Sequence, residues 1–223
     1  MSERMIGHTI VCGLGHVGFR VAEFLRKLGV PMVAIERQES LFTETAQSWQ
    51  VPVILGDARR DELLVAAGVE QAQAIVCCTN DDLVNLEVAL DAKRMNPNLR
   101  VIMAMFDQPT ASKVMGALDL DEVFSTCSVA APLIALQATH PGVRGTYSLP
   151  DGTTHVTVEV ENRRAGLSLA ALEAELGARV LGSVDGGGGN LTRLADGPLE
   201  QGARLLVDID VDRLSALEDL VRG

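Results

Sequence analysis

Aromatic side chains are scarce in this chain: one Trp, one Tyr and five Phe among 223 residues. That scarcity excludes the stacking platforms on which single-stranded bases are read. Runs of Lys and Arg are missing too, and the formal net charge is −11. A chain this acidic repels a phosphate backbone, so nucleic acid is not an expected partner. No apolar run reaches the roughly 18 residues of a membrane-spanning helix. The opening Met1-Ser2-Glu3-Arg4-Met5 lacks the apolar stretch of a secretory leader. The four cysteines, Cys12, Cys77, Cys78 and Cys127, have no metal-ligand spacing. They read as small buried hydrophobes in a reducing cytosol.

What is present is a regular alternation. The length suits one large or two modest domains, and 47% apolar with 22% charged residues is the balance of a globular chain. A short apolar run at 8–12 reads as a strand. Val17, Val21, Phe24, Leu25 and Leu28 then fall on one helical face, and Gly29 ends that helix. Strands follow at 31–35, 51–55, 74–78, 101–106 and 122–125. Helices between them cover 39–49, 59–67, 82–95 and 110–118. Single helices between strands apolar throughout mean parallel crossovers buried on both faces. The pattern predicts an α/β fold, a Rossmann-like doubly wound parallel sheet over 5–140.

From 125 to 143 the chain carries no charged residue. Its apolar positions cover more than one face of a helix, which either packs on its own sheet or crosses to a partner subunit. Pro132 suits a first helical turn better than an interior one. The rhythm then changes. Val156, Val158 and Val160 alternate with Thr157 and Glu159, a half-buried strand. A short helix at 169–176 follows. Strands at 179–185 and 190–195 flank a loose glycine tip at 186–189, and a last strand at 203–209 leads to a closing helix at 213–221. These elements make a smaller C-terminal α+β module over 147–223, linked through 140–147.

The chemistry gathers in Gly13-Leu14-Gly15-His16-Val17-Gly18, a G-x-G-x-x-G that follows a strand at once and opens a helix. Gly13 allows the tight turn, Gly15 lets backbone approach a pyrophosphate, and Gly18 lets the helix pack on the strand. Free N–H groups and the positive helix end receive phosphates. Glu36 ends the next strand, 21 residues beyond Gly15. A carboxylate there accepts from ribose hydroxyls and repels a 2′-phosphate, which favours NAD(H) or another adenine nucleotide over NADP. Arg37, its neighbour, offers a guanidinium that tolerates a further phosphate. Gly56-Asp57-Ala58 and Thr79-Asn80-Asp81 end the third and fourth strands, on the edge where open α/β sheets bind ligands. Asp57 and Asp81 read equally as helix N-caps.

The run Gly56-Asp57-Ala58, Ala67-Gly68-Val69, Thr79-Asn80-Asp81-Asp82 with Asn85-Leu86, then Phe106-Asp107, resembles the RCK (regulator of potassium conductance) family, also called TrkA-N. Ala165-Gly166-Leu167-Ser168-Leu169 and Leu199-Glu200-Gln201-Gly202-Ala203-Arg204-Leu205 are similar to its companion TrkA-C (RCK-C) module. The resemblance implies a cytosolic regulatory domain or subunit of a membrane-embedded potassium channel or transporter. It implies homodimers that assemble into an octameric ring, and NAD(H), or else ATP, ADP or AMP, in the glycine-rich site. Ligand binding reshapes such a ring and moves the pore.

An NAD-dependent oxidoreductase is the alternative. It needs a group that handles the substrate proton. His8, His16, His140 and His155 pair with no carboxylate visible in the sequence, and Tyr147 has no Lys four residues on. The expectation is a nucleotide sensor without catalytic residues.

Overall fold

The computed structural model describes residues 5–107, 113, 120–149, 151–185 and 190–222. They form two compact units, Met1–Ser128 and Val129–Gly223. The expected helix at 110–118, apart from Lys113, and the glycine tip at 186–189 lie outside the described residues.

The first unit runs β1 (Thr9–Cys12), α1 (His16–Lys27), β2 (Met32–Glu36), α2 (Leu41–Ser48), β3 (Val53–Leu55), α3 (Asp61–Ala66), β4 (Ala74–Cys77), α4 (Asp82–Met95), β5 (Arg100–Met105) and β6 (Glu122–Ser125). The strands pair in the order β3-β2-β1-β4-β5-β6, all parallel. Alternate residues serve opposite faces of this sheet. Ile10, Cys12, Val33 and Ile35 pack on one side with Leu64 of α3 and Val88 of α4. Val11, Met32 and Ala34 pack on the other with Ala22 of α1 and Ala46 of α2. Helices on both faces make the sheet doubly wound, as its unbroken apolar strands require. The chain steps outward from β1 to β3 and returns to β4 on the far side of β1, so the winding reverses there. That reversal opens a crevice at the carboxyl ends of β1 and β4.

The next helix, α5 (Thr126–Thr139), corrects one expectation. Pro132 stands inside it and not in its first turn. The Ser128 N–H donates to Ser125 Oγ at 3.3 Å, a cap that starts the helix well before the proline. None of the residues of α5 is buried. Leu133 and Leu136 pack partly against the second unit's core, whereas Val129 and Ile134 are 63% and 66% exposed. No helix among the described residues is long and apolar enough to cross a membrane.

The second unit comprises β7 (Val143–Ser148), β8 (Thr154–Glu161), α6 (Leu169–Leu176), β9 (Arg179–Val184), β10 (Leu191–Thr192), β11 (Arg204–Asp210), a 3₁₀ turn at Val211–Arg213 and α7 (Leu214–Arg222). Its antiparallel sheet has the order β10-β9-β11-β8-β7. Val156, Val158, Leu205, Val207 and Ile209 point inward and meet Leu172 and Leu176 of α6 and Leu214 and Leu217 of α7. Residues 143–147, placed by the sequence reading in the link between domains, belong to the strand β7. Its register shifts between Val143 and Gly145, and that bulge breaks the period-two pattern by which strands are read.

Candidate functional site

The loop between β1 and α1 is shaped by its glycines. Gly13 has φ +92°, a left-handed conformation that an L side chain rarely adopts. A Cβ there would also lie 2.9 Å from the Thr79 backbone. A Cβ on Gly18 would overlap the Gly13 carbonyl oxygen and stand 2.9 Å from Cys78 Sγ. Gly15 differs: a Cβ placed on it meets nothing within 4 Å. Its backbone therefore borders open space, which is what close approach by a pyrophosphate demands.

Gly15 is the N-cap of α1, and no side chain among the described residues caps that helix, nor does its first turn hold an acidic residue. In contrast, Ser40 caps α2 and Asp81 caps α4. The partial positive charge at the start of α1 is thus met by no cap and by no acidic residue of its own first turn.

Glu36 closes one side. Its Oε2 accepts the Leu14 N–H at 2.5 Å. Its Oε1 accepts the N–H groups of Arg37 at 2.7 Å and Gln38 at 3.3 Å. A carboxylate has about four acceptor positions, so it keeps capacity for a hydroxyl donor while its orientation is set by backbone.

Asp57 and Asp81 part company. Asp81 Oδ1 accepts from Leu83 N at 2.9 Å and Val84 N at 3.2 Å, as an N-cap does. Asp57 does not cap α3, whose N-cap is Arg60. It holds Arg59 instead, at 2.6 Å between Asp57 Oδ2 and the guanidinium and 3.1 Å from the Arg59 N–H. The Arg59 guanidinium bonded to Asp57, reinforced by that N–H, lowers the carboxyl from 3.8 to about 2. Beyond β4, the Thr79 N–H and Oγ1 both donate to Oδ1 of buried Asn85, at 2.8 and 2.7 Å. Asn85 Nδ2 reaches across to the Ala104 carbonyl at 3.0 Å.

Together these groups line one cleft of about 540 Å³. It brings together Gly13, Gly15, His16, Glu36, Arg37, Asp57, Ala58, Thr79, Asn80 and Asp81. Leu14, Val17 and Gly18 stay outside the lining. Leu14 contributes its N–H to Glu36 while its side chain is buried, Gly18 packs under the loop, and Val17 is on the outer side of α1, 37% exposed. Sequence reasoning missed Arg59, Gln38, Ile35 and Val84 in the lining. Arg59, two residues past Asp57, was within reach of a charge-pairing argument; Ile35 and Val84 are apolar walls with no chemical signature. No metal-binding cluster occurs among the described residues.

Three cysteines are buried as read, and Cys127 is exposed, contrary to the reading. Cys127 lies in the first turn of α5, a helix none of whose residues is fully buried. Burial pushes the Cys78 thiol up to about 12. A hydrogen bond with Cys12, then burial, pushes Cys77 well above the usual thiol range. Neither is a nucleophile at neutral pH.

The TrkA-N domain family model matches residues 9–126. Potassium channel protein 1 of Methanocaldococcus jannaschii is 30% identical over 116 residues, which cover 52% of this chain and 35% of that relative. The match therefore spans about a third of that protein. The crystal structure of the GsuK bound to ADP is 27% identical, with a TM-score of 0.52 over 59% of this chain and 33% of that one. The GsuK channel bound to NAD aligns with 99% of this chain and 40% of its own, with a TM-score of 0.61 and 16% identity, a likeness of fold.

Proposed function

The chain belongs to the TrkA-N domain family, and from that premise we propose that it is the cytosolic nucleotide-sensing regulatory domain or subunit of a potassium channel or transporter. The observation that carries this reading is the cleft itself: an uncapped helix start beside unobstructed Gly15, with Glu36 fixed on the neighbouring strand. In this reading the N–H groups at the start of α1 hold a pyrophosphate. Glu36 accepts from ribose hydroxyls and repels a 2′-phosphate. NAD(H) is the first candidate, with ATP, ADP or AMP as alternatives; relatives with ADP and NAD bound support adenine nucleotides.

The chain works without turnover in this proposal. The carboxylates of the cleft are engaged in holding structure: Glu36 by backbone amides, Asp81 by the cap of α4, Asp57 by Arg59. A carboxyl held at about 2 is a poor general base near neutral pH. The partner is a membrane-embedded pore, so the chain is cytoplasmic and peripheral to the membrane. Protomers pair through homodimers into an octameric ring, and the C-terminal unit is an RCK-C-like regulatory module. A ligand moves such a ring only by binding its two states unequally; a tenfold preference is about 1.4 kcal/mol per site, and several sites multiply it.

Mass spectrometry of ligand released from purified protein is expected to find an adenine nucleotide. Calorimetry is expected to show Gly15→Asp abolishing NAD and ADP binding, through bulk and charge at the open backbone. Wild-type affinity in that variant overturns the site. Potassium flux through the reconstituted pore partner is expected to change with saturating nucleotide; flux indifferent to NAD, NADH, ADP and ATP overturns gating.

A further inference from the structure

His16 is the first residue of α1, one position past Gly15, and it lines the cleft with an exposed side chain. Its ring is backed by an aromatic row. Phe42 of α2 meets it edge-on, with centroids 5.4 Å apart. Phe42 stacks on Phe19 at 4.8 Å, and Phe19 lies against Trp49 at 5.1 Å. Arg26 covers Trp49 at 4.8 Å. This half-buried support holds the imidazole beside the helix start, where the reading above places the phosphates.

We propose that His16 couples nucleotide binding in this cleft to proton uptake, so that affinity falls as pH rises. The proposal rests on the reading of the cleft as a nucleotide site.

An imidazole is the side chain whose charge changes between about pH 5 and 8. In the ligand-free cleft, the forces on that charge are mixed. The start of α1 and the guanidiniums of Arg37 and Arg59 oppose a further cation. Glu36, Asp57 and Asp81 favour one, yet each is already engaged by N–H groups or by Arg59. The contact from α2 is uncharged Phe42, and Arg20, one turn along α1, is paired with Glu23. A pyrophosphate changes this balance by bringing fixed negative charge to the same helix start. It favours the imidazolium, and by linkage the imidazolium favours the ligand. The gain is complete at pH below the point where the free imidazole titrates. It disappears as pH rises through the titration of the complex. One unit of difference between those two points is a tenfold difference in affinity between the acid and alkaline limits. A potassium regulator built this way would report nucleotide and cytosolic pH in one site.

The full chain is titrated with NAD by calorimetry from pH 5.5 to 8.5, in two buffers of unlike protonation enthalpy. NAD suits this because its pyrophosphate stays ionised throughout; ADP is run in parallel. Wild type is expected to bind about tenfold more tightly at the acid end and to take up a fraction of a proton near neutral pH. Relative to wild type, His16→Gln is expected to lose that uptake and stay at the weak limit. His16→Arg is expected to lose the uptake and stay near the tight limit. Equal proton uptake by wild type and His16→Gln, with whichever nucleotide binds, overturns the proposal and leaves the nucleotide site standing. Binding of neither nucleotide at any pH overturns the site itself.

Discussion

The backbone N–H of Leu14 donates to Glu36 Oε2 at 2.5 Å, tying the glycine-rich loop to the end of the adjacent strand. Leu14 is 1% exposed, so its amide has little access to replacement water. Glu36→Ala is expected to destabilise the fold by about 1–3 kcal/mol through that stranded donor, and to weaken NAD binding. Glu36→Gln keeps an acceptor for Leu14 and removes the charge. It is expected to hold most of the stability while losing discrimination against NADP. Urea denaturation with paired NAD and NADP titrations separates the effects; a Gln variant that still rejects NADP contradicts the ribose assignment.

Asn85 is buried and joins three segments: it accepts both Thr79 donors and donates to the Ala104 carbonyl. Asn85→Leu fills the space but takes the side-chain partner from the Thr79 N–H and from the Ala104 carbonyl. The expected loss is about 1–3 kcal/mol in unfolding free energy. Thr79→Val removes the hydroxyl that donates to Asn85 and accepts the Asp81 N–H at 3.3 Å, the latter in an exposed turn, and is expected to cost less. Equal losses in the two variants, read from chemical denaturation, contradict the bridging role.

Local signals account for what was legible in the sequence. Ile10-Val11-Cys12 is apolar at consecutive positions because β1 is buried on both faces, and Gly13, Gly15 and Gly18 lie within six residues of one another, so the loop and its sheet could be read together. Glu36 was readable because its distance from the loop is set by one helix and one strand. What escaped depends on contacts distant in sequence or on irregular backbone. Asn85 acts through Ala104, nineteen residues on. The bulge before Gly145 hid β7. Pro132 looked like a helix start because the Ser125 cap upstream leaves no periodic trace in a segment apolar on all sides.

The Asp57–Arg59 pair has a defined pH signature. The Asp57 carboxyl is lowered from 3.8 to about 2, first by the Arg59 side chain and then by the Arg59 N–H. A lowered folded-state value stabilises fully above the unfolded one, and the gain is lost as pH falls through about 2. Both side chains are partly exposed, so solvent limits the gain to under about 1 kcal/mol. The stability difference between wild type and Asp57→Asn is expected to be small and constant from neutral pH down to about 4.5, then to shrink towards pH 2. Carboxyl carbon shifts by NMR are expected to place the Asp57 midpoint near 2; a midpoint at or above the ordinary value contradicts the pair.

The uncharged helix α5 gives the test of self-association. Leu133 and Leu136 are already used within the chain, packed partly against the second unit's core, so a charge at either would confound folding with assembly. Val129 and Ile134 are 63% and 66% exposed on the same helix, apolar side chains facing solvent in a segment without a charged residue. In the proposed assembly another copy is expected to cover this helix. Ile134→Glu introduces a charge that a partner surface would have to bury unpaired, at a cost of about 3–5 kcal/mol. An exposed Glu in the monomer costs little. The variant is therefore expected to keep wild-type thermal unfolding at low concentration while its dimer dissociates at least a hundredfold more readily in sedimentation analysis. A wild type that is strictly monomeric at micromolar concentration, or an Ile134→Glu variant that assembles equally well, overturns the assignment of α5 to the contact between copies.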